Sequence, residues 1–325
     1  MARIAIDAMG GDNAPAEIIE GAILAARDGL DITLVGDRDS IMPLLDGRGI
    51  DCSVVHASQV IGFHDDPAHA IREKRDASIA VAARAVSDGS ADAMVSAGST
   101  GAVMAAATFL IGRLPGVTRP GIASIYPTGH VILDVGANIE CRPEHLLQFA
   151  VMGSALAQVY LGAERPRVGL LNIGEEPTKG REVEREAHRL MSASSAIDFV
   201  GNVEGRDIAT DTVDVIVTDG FTGNVFLKTS EGSGRAIQRM IMETLAKPEY
   251  QDIVASLMPA FLEIRERLSP ETVGGAHLVG TKGVVVIAHG SSSRVAISNA
   301  IRIAAEGADS GLVGKIGAGI DAAVH

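Results

Sequence analysis

Short apolar runs rich in Val and Ile recur along this chain, most closed by Gly or Asp and followed by a stretch with helical spacing. That alternation constrains the fold more than any other feature. A strand buried on both faces reads as a continuous apolar run, and it needs a crossover, usually a helix, to reach its next parallel neighbour. The runs at 3–8, 31–36, 52–57, 92–97, 122–126, 131–135, 168–173, 198–201, 213–218 and 284–288 are predicted strands. Between them, 15–27 places Ile19, Ala22, Ile23 and Ala26 on one helical face, with Pro15 suited to the first turn and Asp12 or Asn13 to the cap. The pattern predicts a three-layer α/β/α fold with a mainly parallel sheet, and the length allows one large unit, 1–325, or two domains. One segment breaks the rhythm: 234–268 reads as an inserted pair of amphipathic helices, broken near Lys247-Pro248.

Hydrophobic residues reach 46% while aromatics are 3% with no Trp, so Ala, Val, Ile, Leu and Met must build the core. A formal charge of −13 argues against a nucleic-acid binder, which needs a net basic footprint. Cys52 and Cys141 make no metal-spacing motif and read as reduced thiols of a cytoplasmic protein. The start of the chain lacks a signal-peptide pattern. The uncharged runs 93–112 and 146–163 contain several Gly, Ser, Thr or Gln residues and read as buried elements rather than membrane spans.

Ligands of open α/β sheets gather at loops leaving the carboxyl ends of strands. Six such loops here combine Gly with Ser, Thr, Asn or Asp: "DAMGGDNAP" (7–15), "SAGSTGA" (96–102), "DVGANIECRPE" (134–144), "NIGEEPTKG" (172–180), "TDGFTGN" (218–224) and "AHGSSS" (288–293). Singly, each is an ordinary strand-to-helix turn; together they point to one composite anion site. The contacts of the opening loop fall to Gly10, Gly11 and Asn13, with Asp7 and Asp12 as braces, because two carboxylates beside an anion repel it. The other candidate contacts are Gly98, Ser99, Thr100, Gly101, Asn138, His289, Gly290 and Ser291. "GAGIDA" at 317–322 satisfies G-x-G-x-x-A but lacks a following βαβ unit. P-loop, serine-elbow and zincin patterns are absent from the sequence, and no cofactor or metal is expected. Lys179 and Asn224 are less easily explained as turn residues, although a solvated lysine beside Glu175 and Glu176 and a helix cap are the plain alternatives.

Together, "IAIDAMGGDNAP", "DDPAHAIREKRDASIAVA", "SAGSTGA", "DVGANIECRPEHLLQFAVMGS", "LLNIGEEPTKG", "DGFTGNVFLK" and "GGAHLVG…AHGSS" resemble the bacterial phosphate acyltransferase family, collinearly from residue 4 to about 303. The resemblance implies transfer of a long-chain acyl group from acyl carrier protein to inorganic phosphate, for phospholipid synthesis. It also implies an isocitrate/isopropylmalate dehydrogenase-like fold, a homodimer, and peripheral contact with the cytoplasmic membrane and a membrane acyltransferase. The family's catalytic lysine and asparagine align with Lys179 and Asn224. Two positions depart: Ser99 stands where the family more often has Asn, and Ile287 where many members have Lys.

The residues suit that chemistry. A thioester is already activated and phosphate is partly dianionic near neutral pH, so orientation and oxyanion stabilisation suffice. Lys179 can neutralise charge on phosphate or on the oxyanion, and Asn224 can donate a hydrogen bond. A covalent route through Cys141, with His145 four residues on, competes. A phosphotransacetylase-like enzyme using acyl-coenzyme A, a dehydrogenase and a non-catalytic carrier-binding protein are the other classes. An acidic carrier needs a basic dock, for which Arg72, Lys74 and Arg75, or Arg235, Arg239, Arg265 and Arg267, are candidates. Leu257 and Met258 belong to an apolar set that packs on a partner or touches a membrane.

Overall fold

The β-branched runs pair into a single sheet in the computed structural model, which describes residues 1–50 and 52–324. Its strands are β1 (Arg3–Asp7), β2 (Asp31–Gly36), β3 (Ser53–His56), β4 (Ala93–Ser96), β5 (Gly121–Tyr126), β6 (His130–Leu133), β7 (Arg167–Leu171), β8 (Asp198–Val203), β9 (Val215–Val217), β10 (Ala276–Val279) and β11 (Val284–Ile287). The helices are α1 (Ala16–Arg27), α2 (Arg38–Leu45), α3 (Pro67–Glu73), α4 (Ser78–Ser87), α5 (Thr100–Ala106), α6 (Pro143–Tyr160), α7 (Glu182–Ala193), α8 (Gly220–Leu245), α9 (Gln251–Arg267), α10 (Pro270–Val273), α11 (Arg294–Asp309) and α12 (Leu312–Val324). A π-helical turn prolongs α5 to Ile111.

Strand order is β3-β2-β1-β4-β11-β10-β5-β6-β9-β7-β8. β3, β2, β1, β4 and β11 are parallel neighbours, as are β6, β9, β7 and β8. Between these blocks, β10 is antiparallel to both β11 and β5, and β5 is antiparallel to β6. Three reversals leave the second block running opposite to the first. The carboxyl ends of the two blocks therefore emerge at opposite ends of one sheet.

The core follows the residue inventory. Ile4, Ile6, Ile32 and Leu34 pack under α1 and α11 on one face, and Val131, Leu133, Val168 and Leu170 pack under α6 and α7. The opposite face carries α4 and α5 and the Phe226–Leu227 part of α8. The uncharged run at 146–163 is mostly α6, with Phe149, Met152 and Leu156 buried. Among the described residues no helix is long and apolar enough to cross a membrane.

Several expectations shift. β10 was not predicted as a strand. Pro15 takes the N-cap position of α1 without any side-chain cap; the carbonyls of Asn13 and Pro15, not the side chains of Asp12 or Asn13, meet the first-turn N–H groups. The late helical pair exists and breaks at Pro248–Tyr250, but its first helix begins at Gly220, not near residue 234. "GAGIDA" lies inside α12, where a Cβ on Gly319 would meet Val151 at 2.7 Å, so Gly319 serves helix packing, while Gly317 faces open space.

Candidate active site

Six polar glycine loops were expected to share one site; the sheet sorts them into two clusters of three. The first cluster leaves β1, β4 and β11. Asp7, at the end of β1, is buried and accepts hydrogen bonds from Ser96 Oγ at 2.7 Å and Met9 N at 3.2 Å. Burial pushes its carboxyl above the ordinary carboxylate range, against hydrogen bonds from Ser78, Ser96, Met9 and Gly10. A Cβ on Gly10 would lie 2.5 Å from Asp7 Oδ2 and 2.8 Å from Gly98 N, so only glycine lets these two loops touch. Gly11, at φ +117°, turns the chain so that Asp12 N donates to Gly290 O at 2.8 Å. Gly10, Gly11, Gly98 and Gly290 are thus neighbours, and Asp7 lies against Gly10 and Gly98.

Other members of this cluster differ in exposure and in what their side chains do. Ser99 is the N-cap residue of α5 but makes no side-chain cap bond, and Thr100 is exposed beside it. Gly101 abuts Pro67. His289 Nδ1 accepts from Ser291 N at 3.2 Å and lies 2.7 Å from Ser291 Oγ, which leaves its Nε2 edge outward on an exposed residue. Asn13 is exposed. The α11 cap is Ser293, so Gly290 and Ser291 precede the helix rather than open it. Ile287 is buried in the core, a place where a lysine ammonium would be costly.

The second cluster leaves β6, β7 and β9 and holds Lys179 and Asn224. Its organiser is Asp134, a signal the motif reading missed. This buried carboxylate accepts from Ile122 N, Gly136 N, Ala137 N, Asn138 N and Asn138 Nδ2 at 2.7–3.1 Å. Burial nevertheless pushes its pKa upward. Asn138 donates its amide to Asp134 and to Pro120 O at 2.8 Å, while its carbonyl accepts from Gly220 N at 2.8 Å. With its amide spent this way and little of it exposed, Asn138 braces the site rather than presenting a donor to a ligand.

Gly220 opens α8, and Asp219 caps it by accepting from Thr222 N at 2.7 Å. Asn224 is therefore one turn inside the helix, not its cap. It is exposed, and its Nδ2 stands 3.0 Å from where a Cβ on Gly136 would be. Lys179 is exposed on the loop after β7, with Nζ 3.9 Å from Glu176; Glu175 turns to Arg206 at 3.3 Å. Asn172 Nδ2 donates to Lys179 O at 3.2 Å, and Asn202 Nδ2 to Glu176 O at 2.8 Å, which fixes the loop at both ends.

Two residues beyond Lys179, Arg181 bonds Glu184 and reaches Asp219 at 2.5 Å. Those carboxylates push the guanidinium pKa upward. One ion-paired cluster thus ties the Lys179 loop to the cap of the Asn224 helix. Arg181 was not singled out in the sequence, because only the fold brings it to Asp219.

The Cys141–His145 pair does not form a dyad. Cys141 precedes α6, and its thiol donates to Asn138 O at 3.8 Å. Burial, with Asp134 and Asp219 nearby, pushes its pKa up to about 12. His145 Nδ1 accepts from Arg142 N at 3.1 Å, and burial lowers its pKa.

The docking candidates fall on separate elements, Arg72, Lys74 and Arg75 at and after α3, Arg235 and Arg239 on α8 and Arg265 on α9. Arg72 on α3 sits over the Phe109 ring, 5.3 Å from its centroid. Arg75 lies in the turn after α3, not within a helix, and Lys74 is tied to Asp65 at 2.5 Å. Arg235 and Arg239 on α8 make exposed pairs with Glu231 and Glu243 at 3.4 and 3.8 Å. Arg265 is exposed on α9; the side chain of Arg267 lies outside the described residues.

Among solved structures, the fold is similar to a phosphotransacetylase from Streptococcus pyogenes (TM-score 0.62, 17% identity, covering 95% of this chain and 94% of that one). It is also similar to a putative 4-hydroxythreonine-4-phosphate dehydrogenase from Salmonella typhimurium (TM-score 0.55, 11% identity, 94% and 99% covered). These likenesses define the fold class: a mostly parallel α/β sheet with helices, a fold shared with phosphotransacetylases and related to that of isocitrate/isopropylmalate dehydrogenase. In sequence, the chain is 49% identical to a phosphate acyltransferase from Desulforamulus reducens, over 97% of this chain and 96% of that one. It is 44% identical to one from Bacillus subtilis, over 94% and 93%. The family model described as fatty acid synthesis protein matches residues 2–315, and the chain belongs to that family, among its phosphate acyltransferases.

Proposed function

We propose that this acyltransferase moves a long-chain fatty acyl group from acyl carrier protein to inorganic phosphate, giving an acyl phosphate for phospholipid synthesis. The observation that carries the reading is that the loop of Lys179 and the helix of Asn224 are joined by the Arg181–Asp219 pair, in a chain with near full-length kinship to phosphate acyltransferases. A phosphate oxygen attacks the thioester carbonyl, the tetrahedral oxyanion collapses, the C–S bond breaks and the carrier leaves as its thiolate. Asn224 donates to the oxyanion and Lys179 neutralises charge on phosphate or oxyanion. No covalent enzyme intermediate is needed.

The first cluster, at the other end of the sheet, offers Gly10, Gly11, Asn13, Gly98, Ser99, Thr100, Gly101, His289, Gly290 and Ser291 as the phosphate wall. In this reading the chain works as a homodimer in which one copy's glycine loops serve its partner's Lys179 and Asn224. Arg72 and Arg75 or Arg235 and Arg239 dock the carrier; the pairs that Arg235 and Arg239 make with Glu231 and Glu243 are weak and exchange readily for carrier carboxylates. Charge reversal of either pair should raise KM for the acyl carrier; no rise in either would remove the dock. Peripheral membrane contact belongs to the α8–α9 pair, and vesicle flotation of a variant with Leu257 and Met258 made polar tests it.

Incubating the protein with acyl carrier substrate, with and without phosphate, tests the reaction. Phosphate-dependent release of free carrier thiol is expected. No release, with release from acyl-coenzyme A instead, would favour the phosphotransacetylase-like reading.

A further inference from the structure

Three asparagines of the second cluster are each followed by a branched apolar residue that the fold leaves in solvent: Asn138-Ile139, Asn172-Ile173 and Asn224-Val225. Ile139 is 72% exposed, Ile173 80% and Val225 53%; Phe221, one helical turn before Val225, is 61% exposed. Isolated surface apolar residues need no explanation. These four, however, lie on the loops after β6 and β7 and the first turns of α8, the segments that hold Lys179 and Asn224. Gly220 N donates to Asn138 O, which joins the residues preceding Phe221 and Ile139. Asn172 Nδ2 donates to Lys179 O, which joins the residue preceding Ile173 to Lys179. Phe221 and Val225 share a helix face through their i, i+4 spacing.

We propose that Ile139 and Ile173, on the loops after β6 and β7, with Phe221 and Val225 on the first turns of α8, form an apolar platform for the first methylenes of the donor's acyl chain. The inference rests on the acyl-transfer reading above. The chain is covalently attached to the carbonyl at which Lys179 and Asn224 act, so its first methylenes must lie within a few bonds of them, whatever course the remainder takes. Apolar side chains at that place favour a long chain over a short one through the area they remove from water. The exposed charged groups of these segments, Glu140, Glu175, Glu176 and Lys179, flank the four apolar side chains.

The test compares palmitoyl and butyryl carrier substrates with the wild type, Ile173→Ser and Phe221→Ser, while mass is followed by light scattering. The platform predicts that kcat/KM for the palmitoyl donor falls by about 10- to 100-fold in each variant while the butyryl value falls by less than about 3-fold. Thermal denaturation should be unmoved, because Ile173 and Phe221 are exposed; Ile139→Ser is the alternative variant if either fails to fold. Equal losses for both donors, or none, would overturn the platform while leaving acyl transfer intact. A change of mass with either variant would also overturn it, assigning the patch to contact between copies of the chain. Absence of phosphate-dependent release by the wild type would remove acyl transfer and the platform with it.

Discussion

Replacing Gly223 by Ala adds one carbon where α8 meets the loop after β6. That carbon would stand 1.9 Å from the Asp134 carbonyl oxygen and 2.8 Å from the Thr218 methyl. A carbon–oxygen contact needs about 3.3 Å, so helix or loop must give by roughly 1.4 Å. Asp134 is held by five hydrogen bonds and cannot yield without losing several of them. The helix therefore retreats, taking Asn224 with it. Overpacking of this kind costs about 1–3 kcal/mol. Ala gains about 1 kcal/mol over Gly within a helix, which offsets part of that. Stability should fall by about 2 kcal/mol at most, whereas a displacement of about 1 Å at a reacting group costs roughly 100-fold in rate. Phosphate-dependent carrier release gives kcat and circular dichroism gives Tm, on Gly223→Ala beside Gly232→Ala and Gly234→Ala. The two control sites lie in the same helix with nothing within 4 Å, so they should keep activity and gain stability. A folded Gly223→Ala protein with wild-type kcat would refute the reasoning.

Cys141→Ala should retain turnover, since a thiol with its pKa near 12 is scarcely ionised at pH 7; loss of nearly all activity would restore the covalent route. Acid should destabilise the protein through His277, which is buried in β10 against Tyr160 with neither ring nitrogen bonded. Burial lowers its folded pKa to about 4, against about 6.5 unfolded. The unfolded chain protonates first, so this contribution is full above pH ~6.5 and falls toward pH 4 by on the order of 3 kcal/mol. Asp7 and Asp134, pushed the other way, oppose part of that loss. Urea midpoints at pH 7 and pH 5 should converge in His277→Leu relative to wild type, and parallel shifts would exclude His277 as the cause.

Ten of the eleven strands were legible because each is a short apolar run, most of them β-branched and buried, set between turn residues. β10 escaped because Gly274, Gly275 and Gly280 bracket only four residues, with His277 in their midst. That omission had consequences beyond one strand. β10, with the hairpin of β5 and β6, reverses the sheet direction, and the reversal divides the six glycine loops into two clusters at opposite ends. Periodicity reports which residues are buried but not which strands pair, so one composite site was the natural reading. Lys179 and Asn224 were visible through family resemblance. Asp134 and Arg181, which hold them in place, became visible only when the loops met.

The central claim is that Lys179 and Asn224 direct acyl transfer to phosphate. Trapping the product with hydroxylamine, which converts an acyl phosphate to a hydroxamate, tests it most directly when thioester-only controls are subtracted. The account predicts phosphate-dependent hydroxamate from the wild type and a loss of at least about 100-fold in kcat for Lys179→Ala and Asn224→Ala, with Tm preserved because both side chains are exposed. Wild-type yields from either variant, or hydroxamate that does not depend on phosphate, would contradict it.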